Sequence, residues 1–69
     1  MTIHEFEKLK IEDLRGVTKG LSKGEFFITP ELEAQRYSKK PGDTVSVYYV
    51  NNITEQGYIV YEPRYIILD

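Results

Sequence analysis

The sequence predicts an α+β fold, a small antiparallel sheet carrying one or two short helices. Three observations lead there. Two stretches rich in Tyr, Val and Ile, at about 43–53 and 58–68, flank Thr54-Glu55-Gln56-Gly57, a turn with Gly where positive φ is wanted. A shorter apolar run, Phe26-Phe27-Ile28, lies upstream. Helix-start signals occur at Thr2 and Thr29.

The first helix is expected over about 2–14. Thr2 and Glu5 match a capping box, in which hydroxyl and carboxylate each satisfy an orphan N–H. Ile3, Phe6 and Leu14 fall on one helical face, with Leu9 and Ile11 on its flanks. Leu9 and Ile11 also alternate with Lys8 and Lys10, so an extended Phe6–Ile11 competes with the helix. Next comes a Gly–aliphatic–hydroxyl–Lys unit written twice, Gly16-Val17-Thr18-Lys19 and Gly20-Leu21-Ser22-Lys23, followed by Gly24. Glycines four apart disfavour a helix, so this stretch reads as a loop pinned to the core by Val17 and Leu21.

A third strand is expected near 25–28, followed by a second helix at about 30–37. Thr29 can cap that helix, Pro30 suits its first position, and Glu31 and Glu33 favour its positive end. Pro41-Gly42 then turns the chain into the hairpin.

Pairing Thr54 with Tyr58 and counting outward in step sets a register. One face then holds Val45 opposite Ile67, Val47 opposite Tyr65, Tyr49 opposite Pro63, Asn51 opposite Tyr61 and Ile53 opposite Ile59. The other holds Ser46 opposite Ile66, Tyr48 opposite Arg64, Val50 opposite Glu62 and Asn52 opposite Val60. Pro63 cannot donate a ladder bond and marks an edge strand or a break. Lys40-Pro41-Gly42-Asp43-Thr44-Val45 resembles the entry turns of small SH3-like barrels, which makes such a barrel the alternative architecture.

A chain of 69 residues has room for one domain, 1–69, with one small core. Zero Cys removes disulfides, thiolate metal sites and cysteine nucleophiles, and a single His removes a His-rich metal site. The longest apolar runs, Tyr58–Tyr61 and Tyr65–Leu68, are far short of the ~20 residues a membrane span needs. No signal-peptide pattern is seen, so a cytoplasmic location is expected.

No catalytic constellation emerges. His4 has no orienting partner beyond its neighbour Glu5, and Ser22, Ser38 and Ser46 have no recognisable base. The Gly16–Gly24 loop lacks the spacing of nucleotide-binding loops. No cofactor and no metal are expected.

Six tyrosines, five of them on the hairpin, suit a recognition surface, because Tyr is amphipathic and loses little rotamer freedom on burial. The leading expectation is therefore a non-catalytic protein-binding module. It would be a small adaptor, subunit or inhibitor that uses an aromatic sheet face or a strand edge, with self-association as one mode. The expected partner-binding residues are Tyr48, Val50, Tyr58, Val60, Glu62, Arg64 and Ile66. The alternative is a nucleic-acid-binding module, with tyrosines stacking bases and Lys19, Lys23, Lys39, Lys40 and Arg64 meeting phosphates. The net charge of -2 weighs against it.

Overall fold

The capping box forms as the sequence requires. In a computed structural model, which describes residues 1–18 and 20–69, the Glu5 N–H donates to Thr2 Oγ1 (3.0 Å) and the Thr2 N–H donates to Glu5 Oε1 (3.2 Å). These bonds hold the Glu5 carboxyl below its ordinary value of 4.5. The helix they start, α1, spans Ile3–Glu7 only and buries Phe6. It does not reach residue 14, because Lys10–Ile11 forms a short strand, β1. The extended alternative therefore holds for the second part of that stretch.

β1 runs parallel to β2, Phe26–Ile28, with Lys10 opposite Phe27 and Ile11 opposite Ile28. A parallel pair needs a crossover of a dozen or more residues, usually a helix. Here the glycine-rich loop between Ile11 and Phe26 makes that crossover. Leu21 is buried as expected, but Val17 is 48% exposed.

The second helix is also shorter than expected. α2 spans Pro30–Glu33, and a separate 3-10 turn follows at Arg36–Ser38. Thr29 stands at the N-cap of α2, but its hydroxyl makes no capping bond. Arg36, in that 3-10 turn, is 8% exposed. Its Nη1 donates to the Glu7 carbonyl and its Nη2 to the Leu9 carbonyl, each at 2.8 Å. Glu33 lies 2.7 Å from Nη2 as counter-ion, in contact but without hydrogen-bond geometry. Arg36 thus satisfies main-chain oxygens that α1 leaves free at its C-terminal end, and ties that end to the 3-10 turn.

β3, Thr44–Ile53, and β4, Ile59–Ile67, form the C-terminal hairpin. The sheet order is β1-β2-β3-β4, a four-stranded mixed sheet rather than a closed barrel. The turn is the expected one. Thr54 N–H donates to Tyr58 O (2.8 Å), Gly57 N–H donates to Thr54 O (3.0 Å), and Gly57 has φ +90°.

Beyond the turn the register departs from the expected one. Ile53 faces Ile59 and Asn52 faces Val60, but Val50 faces Tyr61, leaving Asn51 unpaired in a β-bulge. From there the strands run one residue out of the expected step, with Val47 opposite Arg64, Ser46 opposite Tyr65 and Val45 opposite Ile66. The cause lies in the apolar phase of β3. Val45 and Val47 belong to one core, whereas Val50 and Ile53 belong to another, and strict alternation cannot put residues 50 and 53 on the same face. The bulge supplies the extra residue, and Asn52 Oδ1 takes the Ile53 N–H at 2.9 Å.

The two cores lie on opposite faces. On the helix face, Phe6, Ile28, Val45, Val47 and Leu68 pack with Met1, Ile3, Leu9, Phe26, Leu32 and Ile66. On the loop face, Leu21, Phe27 and Val50 pack with Leu14, Tyr48, Ile53 and Ile59.

Replacing Arg36 by Ala should cost about 2 kcal/mol in chemical denaturation, since it strands two part-buried carbonyls and the partly exposed Glu33 carboxylate. Arg36→Lys should not restore the loss, because an ammonium lacks the guanidinium fork. A Cβ at Gly57 would lie 2.8 Å from Val17 Cγ1, on a backbone already at positive φ. Gly57→Ala should therefore cost about 1–3 kcal/mol. Adding Val17→Ala should recover the contact part of that cost but not the backbone part, as a double-mutant cycle would measure.

Candidate functional site: an uncovered apolar stripe on the edge strand

Only part of each face is covered. α1 and the 3-10 turn serve the helix face at the Val45, Val47 and Leu68 end, and the crossover loop serves the loop face at the Val50, Ile53 and Ile59 end. Two diagonally opposed regions of the hairpin stay open.

The larger one is on the loop face. Side chains alternate along β4, so Tyr61, Pro63, Tyr65 and Ile67 share the face that carries Tyr48 and Ser46 on β3. All four are exposed, Tyr65 at 78%, Ile67 at 63% and Tyr61 at 39%. The inner rim is an aromatic stack. Phe27 lies 5.4 Å from Tyr48 with rings nearly parallel, and Tyr61 meets Tyr48 edge-on at 5.2 Å. The position of each of these rings is therefore fixed from below. Thr44 and Ser46 complete the strand positions of this region, and none of its members is charged.

The main chain of β4 is exposed on one side but guarded. Leu68 N–H donates to Asp43 O at 2.8 Å, so by alternation the amides of Ile66, Arg64 and Glu62 also face β3. The positions facing outward are 61, 63, 65 and 67. Pro63 has no N–H to offer there, and further along the Asp69 N–H is taken by Met1 O at 2.8 Å. A proline on the outer side of an edge strand hinders the addition of another strand.

The seven residues expected from the sequence to contact a partner do not form one surface. Val50 is wholly buried, and Tyr48 is half-buried in the aromatic stack on the loop face. Tyr58, Val60, Glu62, Arg64 and Ile66 point to the helix face. Ile66 packs on the core there, whereas Tyr58 and Val60 are about half exposed. Arg64 is not opposite Tyr48. Its guanidinium lies 3.9 Å from the Tyr49 ring centre and 5.9 Å from that of Phe26, and it pairs with Glu62 at 3.2 Å. Alternation along β4 puts Arg64 on the face opposite the exposed rings Tyr61 and Tyr65, so that cation and those tyrosines do not share a face.

The sequence does not mark Tyr61, Pro63, Tyr65 and Ile67 as an open set, because the unbulged register puts them opposite Asn51, Tyr49, Val47 and Val45 on one largely apolar face. The available signal was Asn51-Asn52, two poor strand formers inside a β-branched run at the point where the apolar phase slips.

A surface hollow of about 540 Å³ lies beside Ile11, Asp13, Arg15, Val17 and Pro30. It is crossed by the Asp13–Arg15 ion pair, whose hydrogen bonds hold the Arg15 guanidinium above its ordinary value. Among the described residues, no group of three or more His, Asp or Glu side chains is placed to hold a metal ion, and no helix is long and apolar enough to cross a membrane. Lys19, the first lysine of the repeat, lies outside the described residues. No family model matches the chain, and no curated protein or solved structure is significantly similar to it.

Proposed function

We propose that this chain is a non-catalytic protein-binding module that docks its partner against the loop face of β4. The observation that carries this reading is the stripe Tyr61, Pro63, Tyr65 and Ile67, four alternate apolar residues left exposed on a strand whose other face helps form a core. Tyr61, braced by the ring stack, and the exposed Tyr65 supply aromatic contact area. The region exposes on the order of 400–500 Å² of mostly apolar surface, at the upper end of what a typical monomer displays in one patch. The guarded edge favours side-chain docking over strand addition, which narrows the two modes the sequence left open. A stripe without charge offers nothing to a phosphate backbone, so the nucleic-acid reading has no support from this face.

Affinity capture with the whole chain tests the proposal. Proteins retained by the wild type should be lost with Tyr65→Lys/Ile67→Lys and kept with Tyr58→Lys/Val60→Lys, which alters the opposite face. Retention that ignores residues 65 and 67, or depends on 58 and 60 instead, would contradict it. Both double variants change exposed side chains, so near-native thermal melts are expected for each.

A further inference from the structure

We infer that the occupant of this face is a second copy of the same chain, seated by Tyr65 of each copy in a hollow of the other. This rests on the reading of β4 as a docking surface and adds the identity of the partner. The surface dips beside the stripe, at Ser46 and Tyr48. A hollow of about 230 Å³ opens between α2 and β3, lined by Thr29, Glu31, Leu32, Gln35, Ser46 and Tyr48. Ser46 is the cross-strand neighbour of Tyr65, so the most exposed ring of the stripe and the socket stand side by side.

A knob and a socket adjacent on one face are self-complementary under a two-fold axis, since each copy offers both. The Tyr48 side chain gives the entering ring apolar contact, and Glu31 or Gln35 can accept a hydrogen bond from its hydroxyl at the rim. Charge agrees with this. The seven strand positions of the face, 44, 46, 48, 61, 63, 65 and 67, carry no ionisable acid or base other than tyrosine hydroxyls, so two copies bring no like charges together across the stripe.

Area agrees as well. Two such faces would bury roughly 800–1,000 Å², at the threshold for a specific but weak association. A second copy supplies an equal apolar area to the contact. Pairing through the edge instead would meet Pro63, which lacks a donor, and Met1 at residue 69. The copies therefore stack face to face and do not extend one sheet.

Sedimentation equilibrium of the purified chain from 10 µM to 1 mM decides the matter. The expected result is a reversible dimer with a dissociation constant in the range of about 10 µM to 1 mM. Tyr65→Lys, which removes the knob, and Ser46→Trp, which fills the socket, should each weaken it at least about tenfold. Tyr58→Lys should leave it unchanged. A monomer throughout, or a dimer that survives Tyr65→Lys or is lost with Tyr58→Lys, overturns the inference. If the chain stays monomeric yet captures a different protein through residues 65 and 67, only the identity of the partner was wrong. If that capture also fails, the docking reading falls with it.

Discussion

Asn51 has no partner on β4, and this one inserted residue decides which side chains each face of the sheet receives. Without it, Ile53 and Ile59 would lie on the same face as Val45 and Val47, and Tyr61, Tyr65 and Ile67 would follow them. With it, Val50, Ile53 and Ile59 meet under the crossover loop, while Val45, Val47 and Ile66 meet under the helices. A slip of one residue exchanges the faces of a strand, so the bulge exchanges core for surface along most of β4.

Two cores in so short a chain need two covers, and neither is large. α1 has a single helical turn and a half, held at its C-terminal end by Arg36 through the carbonyls of Glu7 and Leu9. The described residues of the loop on the other face form no helix or strand. It is anchored by Leu14 and Leu21, and by Thr18 N–H, which donates to Gly57 O at 3.0 Å. Each cover spans about half of its face, and the uncovered halves lie diagonally apart. The half left open on the helix face carries the Glu62–Arg64 pair beside the half-exposed Tyr58 and Val60, whereas the half left open on the loop face carries rings, a proline and an isoleucine with no charge among them. Burying the second kind of surface gains more, because no charge has to be desolvated.

Much of this was legible in the residues. The capping box at Thr2 and Glu5, the turn at Gly57, the Pro30 helix start and the hairpin itself are local devices, and each formed. The lengths of α1 and α2 were not legible, because what ends them is tertiary: β1 pairs with a strand about 16 residues away, and Arg36 reaches back to Glu7 and Leu9. The parallel pair was missed because two residues, Lys10 and Ile11, carry too little pattern to declare a strand. The face assignment failed for a different reason. The turn signal fixes the first pairs, but a register counted outward in step has no place for an unpaired residue, and Asn51 displaces every later contact. Pro63 was read correctly as an edge marker, yet its partner is Tyr48, not Tyr49.

Docking through the loop face therefore stands or falls with the hairpin register, which solution NMR reads directly. Directly opposed residues in a non-hydrogen-bonded antiparallel pair bring their α-carbons to about 4.5 Å, close enough for strong contacts between α-protons. The bulged register predicts such contacts between Ser46 and Tyr65 and between Tyr48 and Pro63. Contacts between Val47 and Tyr65 and between Tyr49 and Pro63 would mean an unbulged hairpin, with Tyr65 and Ile67 turned toward the helices and no open stripe for a partner to meet.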